Sequence, residues 1–166
     1  MTYFADFSPY GYFRQEKPRS VYNIGWLDAA QEFATGPVDA EIVSRLEQIS
    51  CHSVNQTRGL HDCNICSSEI SITYKLADKT LLLGGAEIRV FSAEGDIFAA
   101  PTMLLHYITV HNYLPPPSFL NAVKNGPVPP MQDYFNQLKI QDYEWDATST
   151  RDGPVERHPP LWMTTR

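Results

Sequence analysis

Two cysteines separated by two residues, Cys63 and Cys66, follow a histidine at position 61 in the segment HDCNIC. Thiolate sulfur and imidazole nitrogen are ligands that zinc prefers, and this spacing lets one tight turn present both sulfurs to a tetrahedral ion. The segment therefore predicts a zinc knuckle to which His61 also contributes. Two packed free thiols and a redox dithiol are the alternatives, and the redox alternative lacks the βαβ pattern in which such motifs occur.

Two further histidines, His106 and His111, lie in a segment that is predicted to be helical. A cysteine knuckle, then strands, then a helix that bears histidines is the order of a treble-clef type of zinc site. Residues five apart are displaced by about 140° around an ideal helix, so both imidazoles face one ion only if the helix tightens or ends between them. We therefore favour the ligand set Cys63, Cys66, His61 and His106. A set in which His111 replaces His61 stays open.

The composition limits the classes of protein to which this chain can belong. The chain has 166 residues, of which 43% are apolar, and this suits one domain with a core of ordinary size. Its 13 basic and 19 acidic residues give a net charge of −6, and the basic residues are scattered, which argues against a nucleic-acid partner. We find no cationic start followed by an apolar run and no apolar segment of membrane length, so we expect a cytosolic protein. An odd count of three cysteines argues against a disulfide framework and leaves Cys51 as a buried thiol.

The periodicity predicts an α+β domain with an antiparallel sheet and flanking helices. Asp39 is a candidate cap for a helix from Ala40 to Ser50, in which Ile42, Leu46 and Ile49 share one face. The β-rich segments after it are expected to form an antiparallel meander, after a first short strand. These strands are Tyr22 to Trp26, Ile70 to Leu76, Thr80 to Leu83, Ala86 to Phe91 and Ile97 to Phe98.

Three more helices are predicted after the strands. Pro101 can serve as a first helical residue because it lacks an N–H, and a helix from Thr102 to Tyr113 would follow it. Shorter helices are expected from Ser118 to Lys124 and from Met131 to Leu138. Beyond them the pattern fades, so we predict one zinc-stabilised domain over residues 1–138 and an extended carboxyl-terminal arm over residues 139–166.

Several segments resemble a family of small, uncharacterised bacterial proteins. The likeness is carried by RGxHxCxxC from Arg58 to Cys66, by EIRV at 87–90 and by HYIxxHxYxPP from His106 to Pro116. It extends from residue 8 to residue 123. The resemblance implies a bacterial, cytosolic, metal-holding protein, and it implies nothing about a substrate.

A catalytic zinc would keep one coordination position for water and would need a nearby carboxylate to move protons. Glu87 is the best candidate, because its side chain and that of Arg89 share one face of a strand that precedes the histidine helix. The competing interpretation is that both residues face solvent on an exposed sheet. His-Glu-x-x-His and the zinc-deaminase pattern are both missing from the sequence.

Binding is the other class of function. Aromatic residues make up 12% of the chain, and the densest run lies at the amino terminus, from Tyr3 to Phe13. Aromatic side chains on an acidic surface favour a protein partner with a basic surface. By analogy of class, we expect a protein-interaction or immunity/inhibitor-type module with a structural zinc and no membrane partner. A zinc-dependent hydrolase that uses Glu87 or another carboxylate as general base is the alternative.

Overall fold

The computed structural model of this protein describes residues 2–12, 20–66 and 72–143. Within these ranges the chain forms five strands and four helices, which confirms the predicted α+β class. In chain order they are β1 (Val21–Asn23), α1 (Ala40–Ser50), β2 (Thr73–Lys75), β3 (Thr80–Leu82), β4 (Glu87–Phe91), β5 (Ile97–Pro101), α2 (Leu104–His111), α3 (Pro117–Asn125) and α4 (Gln132–Ile140).

The strands form two sheets, and the predicted single meander is wrong. β4 and β5 pair in antiparallel register, with Glu87 opposite Pro101 and Phe91 opposite Ile97. β1 then adds to the other side of β5 in parallel, which gives the order β1-β5-β4. β2 and β3 form a separate antiparallel pair. All residues of β4 and β5 are buried, although β4 alternates polar and apolar residues over Glu87 to Val90 as a half-exposed strand does.

Helix α1 has the bounds that the sequence predicts. The side chain of Asp39 accepts a hydrogen bond from the Glu41 N–H at 2.9 Å, which satisfies a free donor at the helix start. Ile42, Leu46 and Ile49 are buried, and the helix packs against β4 and α3. The predicted amphipathic face is therefore the face that joins this helix to the core.

Helix α2 is shorter than the sequence predicts. Pro101 is the last residue of β5 and not the first residue of the helix, which begins at Leu104. The Thr102 N–H still bonds back to Ala86 O at 2.9 Å, so the chain follows the sheet for one more residue. The helix ends at His111 because Asn112 adopts a left-handed conformation with φ 53°. Asparagine is among the few residues that tolerate this conformation at a helix end.

The last two helices lie close to their predicted positions. α3 begins at Pro117, one residue before the predicted start, because proline suits the first turn of a helix. α4 runs to Ile140, across the predicted domain boundary at residue 138. Residues 67–71 and 144–166 lie outside the described residues, and with them the start of one predicted strand and most of the predicted arm. In the described ranges, the structure has no helix that is both long and apolar enough to cross a membrane.

Candidate metal centre

Four side chains from two distant parts of the chain bring their ligand atoms within 4.8 Å of one another: Cys63, Cys66, His106 and His111. The Nε2 atom of His111 lies 3.3 Å from Cys63 Sγ, 3.0 Å from Cys66 Sγ and 3.2 Å from His106 Nε2. The Nε2 atom of His106 lies 3.2 Å from Cys66 Sγ. Two sulfurs and two imidazole nitrogens that converge on one point are positioned to hold a metal ion.

The cysteines lie in a short turn that is held by hydrogen bonds within it and before it. Within the turn, the backbone N–H of Cys66 donates to Cys63 Sγ at 3.4 Å. The Asn64 amide donates to Asp28 Oδ2 at 2.8 Å, which ties the turn to the segment after β1. Before the turn, the His61 N–H donates to Gly84 O at 3.0 Å. These bonds place both sulfurs beside α2.

Helix α2 delivers both histidines to one side, although they are five residues apart. His106 lies in its first turn and His111 is its last residue. The N–H of Asn112 bonds to Tyr107 O, a span of five residues, and the N–H of Tyr113 bonds to the same oxygen. A bond over five residues is the capping bond of a helix that ends in a left-handed residue, as α2 does at Asn112. His111 is therefore the last helical residue, and the structure places its imidazole beside that of His106 although an ideal helix would separate the two.

The structure does not bring His61 into this group, contrary to the ligand set that we favoured from the sequence. Its backbone N–H is bonded to Gly84, and the residue lines a small pocket together with Tyr12, Trp26 and Glu87. His111 completes the group of four in its place. The signal for His111 was the asparagine that follows it, since Asn112 predicts a helix end at that point.

The electrostatics of the site suit a metal ligand set. Burial lowers the pKa of His106, and the neighbouring His111 lowers it further. Burial also lowers the pKa of His111, so both imidazoles are neutral at pH 7, the form that binds metal. Partial desolvation and the neighbouring Cys63 raise the pKa of the Cys66 thiol. A metal ion therefore has to displace a proton from this sulfur when it binds.

Glu87 and Arg89 are both buried, so the interpretation that they face solvent is wrong. Arg89 Nη1 lies 2.7 Å from Glu87 Oε2, and Tyr10 donates its hydroxyl hydrogen to the same carboxylate at 2.8 Å. The Arg89 guanidinium lies over two aromatic rings, 4.7 Å from the centre of the Tyr10 ring and 5.3 Å from that of the Tyr143 ring. Asn55 donates to the Tyr143 hydroxyl and to Glu87. The Glu87 carboxylate is thus part of a buried ion-pair network.

Replacement of His111 by alanine is expected to weaken metal binding by at least about 100-fold, because a direct ligand contributes more than the outer partners of a metal site, whose loss costs about 10–100-fold. The matched variant His61→Ala is expected to keep the metal affinity of the unmodified chain. Competition with a chromophoric chelator measures both affinities. Loss of affinity in His61→Ala, with His111→Ala unaffected, would restore the ligand set favoured from the sequence.

Replacement of Gly84 by alanine is expected to destabilise the protein by about 2–3 kcal/mol, because a side chain there needs a strained backbone. Gly84 has φ +87°, and an added Cβ would overlap the backbone oxygen of His61. Gly59→Ala is the control, since nothing lies within 4 Å of a Cβ at that position. Urea unfolding of both variants measures the difference. Equal stability of the two variants would mean that the absence of a side chain at Gly84 does not determine how closely the backbone of His61, just before the cysteine turn, approaches residue 84.

The fold and the four converging side chains define an α+β domain with a candidate Cys2His2 metal centre. The chain belongs to the family described as "Domain of unknown function (DUF7919)", whose family model matches residues 2–124. The match includes all four candidate ligands and ends within α3, so α4 and Tyr143 lie outside it. No curated protein and no solved structure matches the chain.

Proposed function

We propose that this protein binds one zinc ion and that the ion has a structural role, joining the cysteine turn to helix α2. The convergence of two thiols and two imidazoles carries the proposal. Around a tetrahedral zinc with bonds of about 2.0–2.3 Å, neighbouring donor atoms are separated by about 3.3–3.8 Å. Four of the six separations in this group are 3.0 to 3.3 Å, slightly shorter than these values, and the other two are no longer than 4.8 Å. An ion at the centre therefore requires only small movements of the donors.

The choice of zinc follows from the donor types. Thiolate with imidazole in a tetrahedral set is typical of zinc, whereas magnesium and calcium take oxygen ligands. The number of ligands separates a structural role from a catalytic one. Structural zinc sites have four protein ligands, and catalytic sites have three and a water. A full set of four therefore supports the structural role.

The hydrolase alternative needs a carboxylate that is free to move protons beside the metal. Glu87, the candidate for this role, is 2% exposed, and its oxygens accept hydrogen bonds from Tyr10, Asn55 and Arg89. A carboxylate whose oxygens are held by three donors is not free to reach a metal-bound water, as a general base must. This favours a stabilising role for Glu87.

We further propose that the zinc-stabilised domain is a protein-interaction or inhibitor-type module for a partner with a basic surface. The net charge of −6 supports electrostatic attraction to such a partner. Tyr3 and Phe7 support a contact region at the amino terminus, because they are 41% and 46% exposed and aromatic side chains often anchor interfaces.

Metal content and cobalt substitution test the zinc proposal. Purified reduced protein is expected to hold one zinc per chain by native mass spectrometry. Its cobalt form is expected to show the strong visible bands of a tetrahedral complex and the charge-transfer bands of thiolate ligands. Weak bands of a five- or six-coordinate cobalt, together with hydrolysis of a model ester that Glu87→Gln abolishes, would favour the hydrolase.

A further inference from the structure

The two cysteines of the metal centre differ in their access to solvent. Cys63 is fully buried, whereas Cys66 is exposed. Their sulfur atoms nevertheless belong to one group whose ligand atoms all lie within 4.8 Å of one another. The third cysteine, Cys51, is half-buried at the end of α1 and is not part of this group. The centre thus has one sulfur that a small reagent can reach and a second sulfur directly behind it.

We propose that Cys66 is an oxidant-sensitive modification site, and that a peroxide converts Cys63 and Cys66 to a disulfide with release of the metal. The inference rests on the proposed zinc site. Redox-sensitive cysteines react as thiolates, are accessible and lie next to a second cysteine that resolves the first oxidation product. Bound zinc would hold both sulfurs as thiolates, and Cys66 and Cys63 meet the other two conditions in that order.

The chemistry needs only hydrogen peroxide as the oxidant. The Cys66 thiolate attacks one peroxide oxygen, the O–O bond breaks, and the released hydroxide takes up a proton to become water. The Cys63 thiolate then attacks the Cys66 sulfenic acid sulfur, forms the S–S bond and expels hydroxide, which a second proton converts to water. Two thiolates, one peroxide and two protons give one disulfide and two waters. The sulfurs lose two electrons, and the peroxide gains them.

Metal release follows from the count of remaining donors. A disulfide has no thiolate left to bind zinc, so only His106 and His111 would remain of the four ligands. The same turn that presents both sulfurs to an ion also keeps them close enough to react with each other. Either a metal ion or a disulfide can therefore connect the two cysteines of this turn. Only the metal ion also connects the turn to α2.

Zinc release from the full chain tests this inference. The reduced, zinc-loaded protein is treated with hydrogen peroxide while a chromophoric chelator reports free zinc. We expect one zinc released for every two thiols lost, a Cys63–Cys66 disulfide in the peptide map, and recovery of zinc binding after reduction. Cys51→Ser, the matched control, is expected to give the same stoichiometry. Zinc retention during oxidation, or release with sulfinic acid at Cys66 and no disulfide, would overturn the inference.

The order of attack is tested on the unmodified chain, so that no ligand has to be replaced. Brief peroxide treatment with dimedone, which traps sulfenic acid, is expected to label Cys66 and to leave Cys63 unlabelled. A label on Cys63 alone would contradict the order. The two proposals fail in different ways: reduced protein without zinc refutes the zinc site, whereas zinc-loaded protein that resists peroxide refutes only the oxidation.

Discussion

Removal of zinc with a chelator is expected to lower the melting temperature of this protein by about 8–16 °C, since binding stabilises the folded chain by about 4 kcal/mol when zinc is 1,000-fold above its Kd. The physical reason is the position of the proposed ion. Its ligands would come from the turn at Cys63 and Cys66 and from α2, which begins 38 residues after Cys66. An ion that bridges such distant segments contributes its binding energy to folding. Differential scanning calorimetry with and without chelator measures the effect.

Serine substitutions identify the cysteines that are responsible for this loss of thermal stability. Cys63→Ser and Cys66→Ser are each expected to melt near the temperature of the chelated protein and to lose their response to chelator. Cys51→Ser is the matched control, because Cys51 lies outside the group of four, and it is expected to retain the full response. A chelator response that disappears in Cys51→Ser and persists in the other two variants would contradict the assignment.

Replacement of Arg89 by methionine is expected to destabilise the protein by about 3–5 kcal/mol, because it leaves the Glu87 carboxylate buried without its cation. Glu87→Gln is expected to have a similar cost, since it leaves the buried guanidinium without its carboxylate. The double variant is expected to lose less than the sum of the two single losses, because it removes both charges together. Urea unfolding of zinc-loaded protein measures all three.

Lys124→Met is the control for this series, because Lys124 is exposed and its loss is expected to change stability by less than about 0.5 kcal/mol. The buried pair has several supports: Tyr10 and Asn55 donate to Glu87, and Arg89 donates to the Tyr143 hydroxyl at 2.8 Å. Strictly additive losses in the double variant would mean that the two charges do not stabilise each other.

The elements that the sequence predicts well are those with local signals. Helix α1 has a capping aspartate next to an apolar stripe of helical period, and both signals lie within twelve residues. The Cys-x-x-Cys turn is equally local. The parallel pairing of β1 with β5 joins Val21 to Ile97, and no local pattern encodes a partner so far along the chain. This is why the predicted meander fails although most of its strands exist.

The burial of β4 could not be predicted from the sequence, for a related reason. Its sequence contains Glu87 and Arg89, which the pattern alone places on a solvent face. Tyr10 covers this pair from 77 residues before Glu87, and Tyr143 covers it from 54 residues after Arg89. Only the folded chain brings these tyrosines together. The alternation along β4 therefore predicts correctly that Glu87 and Arg89 share one face of the strand. It does not predict which residues pack against that face.

The ligand set was partly predictable. Cys63, Cys66 and His106 are found together as the spacing of ligand types suggested, whereas His111 was disfavoured because an ideal helix turns it away from His106. The structure ends α2 at the left-handed Asn112, directly after His111, and a single sequence gives only a weak signal of such an end. The positions of His106 and His111 show that the ideal helix does not predict the directions of side chains at a helix end.

X-ray absorption at the zinc edge of the reduced protein tests the central claim most directly. We expect one zinc per chain with two sulfur ligands at about 2.3 Å and two nitrogen ligands at about 2.0–2.1 Å. Protein without stoichiometric zinc, or a zinc shell with fewer than two sulfurs and an oxygen ligand, would contradict the structural Cys2His2 site formed by Cys63, Cys66, His106 and His111.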